Sequence, residues 1–137
     1  MTIKSTFKHT VRKLLETKPL SKLQHYWYYA GDRKSQIVLS QMRLHFSNLN
    51  EHLYSKNCVD SPICTCGNGI ESVHHFFFDC SRYFNQRAQL YRSMANLPVI
   101  IHPSVPNMIC GTTAISIEDN LKFAFIIQKY IQDTNRF

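Results

Sequence analysis

Three cysteines and two histidines fall within seventeen residues: Cys64-x-Cys66, His74, His75 and Cys80. This cluster constrains the chain more than any other feature. Zinc takes four soft or borderline ligands in a tetrahedron, usually two from a tight turn and two from a following helix end. Cys64 and Cys66 lead into a turn that contains Gly67 and Asn68-Gly69, a strong signal for a small hairpin. His75-x4-Cys80 supplies a second pair within the usual spacing. On a regular helix, residues i and i+5 differ by about 140° around the axis. Both can face one ion only if the helix ends between them. The helix carrying His75 is therefore expected to stop near Asp79, with Cys80 in the turn that follows. His74 is the rival imidazole. Cys58 is an alternative ligand, but six residues before Cys64 it reads, like Cys110, as a packed thiol. Four good ligands point to a closed structural site rather than a catalytic one with an open position. No His-x-Glu with a later Cys-x-x-Cys is present, so deaminase-type chemistry lacks its carboxylate. Glu71, the nearest acid, reads as a first-turn helix charge.

The rest of the chain sets the frame for such a site. At 137 residues it is one domain, 1–137, and its 44% hydrophobic content can supply a core. The basic excess, 16 Lys and Arg against 9 Asp and Glu, is lopsided. Residues 1–60 carry ten basic and four acidic side chains (+6), and residues 61–137 carry six and five (+1). A basic segment of this kind favours polyanions through its field, without sequence preference. The longest apolar runs are five residues, far from the ~18 a membrane span needs. The first ten residues lack the apolar stretch of a secretory signal. The expectation is an intracellular protein with reduced thiols and no membrane partner.

The pattern along the chain is helical. Phe7, Val11, Leu14 and Leu15 form one helix face, with Lys4, Lys8 and Arg12 on another, and Pro19 ends it. A second helix is expected from about Ser35 to Phe46, burying Val38, Leu39, Met42 and Phe46. A short third one carries Leu49, Leu53 and Tyr54. Tyr83, Phe84, Leu90, Tyr91, Met94 and Leu97 suggest a helix with a wide buried face. Pro98, Pro103 and Pro106 make the next stretch a loop or extended connection. Ser116-Ile-Glu-Asp119 starts the last helix with a capping-box pattern, and Phe123, Ile126, Ile127, Tyr130 and Ile131 line its apolar face. The expected fold is mainly α: a small helical domain with a short hairpin, zinc-knuckle-like site in the middle. A basic helical segment (1–60) precedes the zinc-binding segment (58–82), and C-terminal helices (83–137) follow.

Nucleic acid is the expected partner. Lys8, Arg12, Arg33 and Lys34 are candidate phosphate contacts. Arg43 is either another or a bridge to a buried acid. The aromatics Tyr26–Tyr29 stand beside Arg33 and Lys34, where rings could stack bases; the alternative is that Trp27 and alternate tyrosines are core. A protein-interaction module held together by zinc is the competing reading, and a hydrolase with catalytic zinc is a third.

A wider pattern joins these pieces. Cys64-Thr-Cys-Gly67, Glu71-Ser-Val-His-His-Phe-Phe-Phe-Asp-Cys80, Ser81-Arg82-Tyr83 and Arg87 resemble the zinc-binding C-terminal region of reverse transcriptases from non-long-terminal-repeat retrotransposons. Ser40-Gln-Met-Arg-Leu44, Asn48-Leu-Asn50 and the closing Thr134-Asn-Arg-Phe137 are similar to flanking motifs of that family, so the resemblance covers about residues 26–137. It implies metal ligands at Cys64, Cys66, His75 and Cys80, with structural Zn2+. The position before the ligand histidine, often acidic in the family, is His74 here. The resemblance also implies an accessory role, binding RNA or single-stranded DNA, with the polymerase body as another possible partner. It implies no enzyme in this chain, which lacks any Asp-Asp pair and so lacks the family's polymerase motif.

Overall fold

A close approach between Gly31 and Gln128 ties the turn ahead of the first helix to the last helix. The computed structural model describes residues 27–28 and 30–137. Helix α1 spans Arg33–Arg43, and Asp32 caps it by accepting from Ser35 N–H at 2.9 Å. The turn before it passes through Gly31 at φ 77°, and a Cβ there would lie 2.0 Å from Gln128 Oε1. Gln128 is buried on the last helix. It donates to Ala30 O at 2.7 Å and accepts from Asp32 N–H at 2.8 Å. A glycine is therefore required twice over, by its backbone angle and by the close approach.

Helix α2 is Asn50–Ser55, α3 is Phe84–Ala95, α4 is Val105–Cys110 and α5 is Ile117–Thr134. Between α2 and α3 lie a π-helical turn, His75–Asp79, and a 3-10 turn, Ser81–Tyr83. α3 packs against α5, and α1 packs against both α4 and α5. Ser116 caps α5 by accepting from Asp119 N–H, as the capping pattern anticipates. The fold is mainly helical with the Cys/His segment in the middle.

The core gathers on the π-helical turn. Phe76 and Phe77 are fully buried and meet Tyr130 of α5 at ring distances of 5.3 and 5.6 Å. Tyr83 and Phe137 close on Phe76 from two further sides. The Tyr130 hydroxyl donates to Phe76 O. Val38, Leu39, Met42, Leu90, Met94, Phe123, Ile127 and Ile131 are buried as their periodicity requires.

Four expectations change. The hairpin is reduced to one isolated antiparallel bridge, Ile63 with Ile70, and the described residues contain no paired strands. Pro62 explains the short ladder: its carbonyl accepts from Glu71 N–H at 2.9 Å, but it has no N–H to return, and Glu71 O accepts from Glu51 N–H instead. α1 stops at Arg43, because His45 takes φ 54°, and this turns Phe46 out to 61% exposure beneath the Lys56 ammonium. Phe84 and Tyr91 of α3 are likewise exposed. The proline-rich stretch is not all connection, since α4 forms within it with Pro106 in the first turn, where a missing N–H costs nothing. The helix expected over Phe7–Leu15 and the stripe Lys4, Lys8 and Arg12 lie outside the described residues.

Candidate metal centre

Cys64, Cys66, His75 and Cys80 converge, with all four ligand atoms within 4.8 Å of one another. Local backbone chemistry brings them there. Gly67 at φ 82° lets the loop double back, so that Gly67 N–H reaches Cys64 O at 2.9 Å. His75 and Cys80 are drawn together by the π turn: Cys80 N–H donates to His75 O at 2.8 Å, an i to i+5 bond. The helix then ends, with Cys80 extended at φ −65°, ψ 121°. The expected helix stop near Asp79 is met, and the wider π turn, which the sequence reading did not anticipate, reduces the angular mismatch of a regular helix. Arg87, buried on α3, secures the turn by donating to Phe77 O at 3.0 Å and Cys80 O at 2.7 Å.

Two opposite separations match the edges of a tetrahedral site. Metal–sulfur bonds of about 2.3 Å place two sulfurs roughly 3.8 Å apart, and a sulfur and a nitrogen roughly 3.6 Å apart. Cys64 Sγ and Cys80 Sγ are 3.7 Å apart, and Cys66 Sγ and His75 Nε2 are 3.4 Å apart. These four residues can hold a metal ion. His74 stands outside the group, its Nδ1 2.9 Å from Asp79 Oδ2 and its side chain 63% exposed. Cys58, expected to be a packed thiol, is instead exposed, and Cys110 is half-buried; neither is in the group.

The surroundings are charged in a defined order. Burial pushes the Cys64 thiol up to about 11. The Asn68 N–H, 3.4 Å from Cys66 Sγ, holds the Cys66 thiol below its ordinary value. Arg82 lies over the sulfurs, with Nη2 3.2 Å from Cys64 Sγ and Nε 3.5 Å from Cys80 Sγ. Its Nη2 also reaches Glu71 Oε2 at 2.8 Å. Glu71 is 2% exposed and is not a first-turn charge of its own segment. It caps α2 from a distance, since Asn50 N–H donates to Oε1 at 2.8 Å. Arg136 grips the same carboxylate through Nε to Oε2 at 3.0 Å and Nη2 to Oε1 at 2.7 Å. Burial alone would raise the Glu71 carboxyl, but Arg136, the Asn50 N–H and Arg82 together hold it below its usual range.

The expected nucleic-acid contacts divide. Arg33 and Lys34 are exposed in the first turn of α1. Lys34 edges a cavity of about 140 Å³ with Val38, Ile131 and Phe137, below the roughly 300 Å³ at which pockets for small molecules begin. Among the described residues Arg43 pairs with no acid, and its guanidinium is taken up by a carbonyl, a hydroxyl and a ring. Its Nε donates to Ile109 O, its Nη1 reaches Ser40 Oγ at 3.0 Å, and its guanidinium covers the Tyr28 ring at 4.1 Å. Trp27 is core, 2% exposed, with its ring 5.3 Å from Phe123 and its Nε1–H donating to Ile109 O. The stacking role expected of the aromatic run therefore fails at Trp27, while Arg43 covers one face of the half-buried Tyr28. Tyr26, Tyr29, Lys8 and Arg12 lie outside the described residues. No helix among the described residues is long and apolar enough to cross a membrane. No family model, curated protein or solved structure matches the chain, so the functional reading rests on the residues themselves.

Proposed function

We propose that the protein is a nucleic-acid-binding module built around a structural zinc ion, in the manner of the C-terminal region of a retrotransposon reverse transcriptase. The observation that carries the metal part is the convergence of Cys64, Cys66, His75 and Cys80, whose 3.7 and 3.4 Å separations suit zinc. Three thiolates and one imidazole close the coordination sphere, which leaves no position for a reacting water. Glu71, the carboxylate beside the sulfurs among the described residues, is held by Arg82, Arg136 and the α2 N-terminus, so it is not free to act as a base. Both features favour a structural ion over a catalytic one.

The nucleic-acid part rests on charge. The chain carries +7. Residues 1–26 hold six basic side chains and one acidic (+5), which leaves +2 for residues 27–137. The charge is therefore concentrated in the sequence ahead of α1, whose first turn exposes Arg33 and Lys34. Binding of RNA or single-stranded DNA should be mainly phosphate-driven and weaken steeply with salt. Titration of labelled RNA at several salt concentrations tests this. Replacing Lys4, Lys8 and Arg12 together by Gln is expected to lower the salt slope by about 2, from about 0.7 per phosphate contact on a single strand. An affinity indifferent to salt would overturn the reading.

Exposed apolar side chains favour a second reading, a zinc-held protein-interaction module that docks on a polymerase body or another protein. Ile100 is 99% exposed, Phe84 70% and Phe125 54%. The same titration separates the two, because only the first requires RNA binding.

A further inference from the structure

Next to the ligands lies a line of alternating charge that the metal reading alone does not require. We infer that Arg82, Glu71 and Arg136 form an outer sphere of the metal centre that couples ion binding to the docking of segment 135–137. The inference rests on the zinc reading and adds to it two positioning residues, Arg82 and Arg136, that never touch the ion.

Charge counting gives the reason. A divalent ion with three thiolates and a neutral imidazole has a net charge of −1. Two of its sulfurs, those of Cys64 and Cys80, are buried, where an uncompensated charge is costly. Arg82 supplies +1 on one edge of its guanidinium, with Nη2 and Nε facing Cys64 and Cys80. It cannot do so freely, because the same Nη2 is held by Glu71 Oε2 at 2.8 Å. Glu71 brings −1 into a site of 2% exposure. Alone it would draw Arg82 away from the sulfurs. Arg136 supplies the balancing +1 through a two-point grip on Glu71. The sequence centre, Arg82, Glu71, Arg136 then runs −1, +1, −1, +1 and sums to zero.

The same line fixes a segment of chain. Arg136 Nη2 donates to Asn48 O at 2.7 Å, so the guanidinium also ties the residues before α2. Phe137 beside it packs its ring against Phe76, 5.4 Å away and next in sequence to His75. With the ion bound, the centre, Arg82 and Glu71 carry −1 between them, which the two-point grip of Arg136 neutralises. Ion binding and the seating of Arg136 thus favour one another, and linkage makes the effect reciprocal. A role for Arg136 in general packing alone predicts something different: a loss of stability that is indifferent to Arg82.

The test is a metal titration of the 137-residue chain with Co2+, followed by displacement with Zn2+ against a chromophoric chelator. The Co2+ absorption reports whether a tetrahedral three-sulfur, one-nitrogen sphere survives in each variant. Arg82→Gln is expected to weaken metal binding by about tenfold to a hundredfold, and Arg136→Gln by about tenfold, with the tetrahedral signature retained at saturation. The double variant should bind no more weakly than Arg82→Gln alone, because Arg136 acts through Arg82. Arg136→Lys keeps the charge but loses the two-point grip, and its affinity should fall between those of the parent and Arg136→Gln. It is read in place of Arg136→Gln if that variant does not fold. Parent-like affinity in whichever Arg136 variant folds, or losses that simply add in the double variant, would overturn the coupling while leaving the metal site intact. A parent chain that takes up no metal would instead remove the zinc reading itself.

Discussion

At the scale of single residues, the centre divides into side chains whose role follows from spacing and side chains whose role follows only from folding. Cys64, Cys66, His75 and Cys80 were legible in the sequence because ligand chemistry and short local gaps fix them. The preference for His75 over His74 is a matter of direction: one imidazole turns toward Cys66, and the other toward Asp79. Cys80→Ala or His75→Ala is therefore expected to lose metal and fold together, whereas His74→Ala retains both. Metal content by elemental analysis of the three purified variants checks this, and equal retention in all would end the assignment. Glu71 was not legible. Its partners come from 21 residues before it and from 11 and 65 residues after it, and no local pattern links them. Arg43 misled for a related reason. A cation in a family-like helix suggests phosphate, but here a carbonyl of α4 and the Tyr28 ring take it up.

At the scale of elements, periodicity located α1, α3 and α5, and proline hid α4. The short α2 depends on borrowed contacts. Its N-terminus is capped by Glu71, and its buried His52 is anchored through Nδ1, which accepts from Ser47 N–H at 3.1 Å. His52 Nε2 is buried with no partner among the described residues. Burial, followed by the nearby His45 and Lys56, holds the His52 pKa below its ordinary 6.5. The sign follows directly: the neutral form is favoured in the folded state. This contribution is complete above the unfolded value of about 6.5 and is lost as pH falls below it. Thermal unfolding of the metal-loaded chain between pH 7.5 and 5.5 should show a drop in Tm that is smaller in His52→Gln. An identical drop in both would contradict the assignment. The Gly31 turn offers a second check on how α1 meets α5. Gly31→Ala sets a Cβ against Gln128 at a positive φ, and should cost more than about 1 kcal/mol in denaturant unfolding.

At the scale of the whole molecule, the metal segment and the aromatic core are one construction. His75 and Cys80 bracket Phe76 and Phe77, the rings on which α5, Tyr83 and Phe137 pack. Removing the ion should therefore release the middle of the fold rather than a peripheral loop, since a structural zinc contributes on the order of 10 kcal/mol of apparent binding free energy. The mainly helical class was readable from composition and periodicity. The route by which residues 135–137 return to the centre was not, because it depends on packing between segments far apart in sequence. The most direct test is zinc stoichiometry on the purified chain, with helical circular dichroism followed as a strong chelator is added. One zinc per chain, with loss of cooperative structure on chelation, is the predicted result. A chain that contains no zinc and keeps its cooperative unfolding unchanged in chelator would contradict the account.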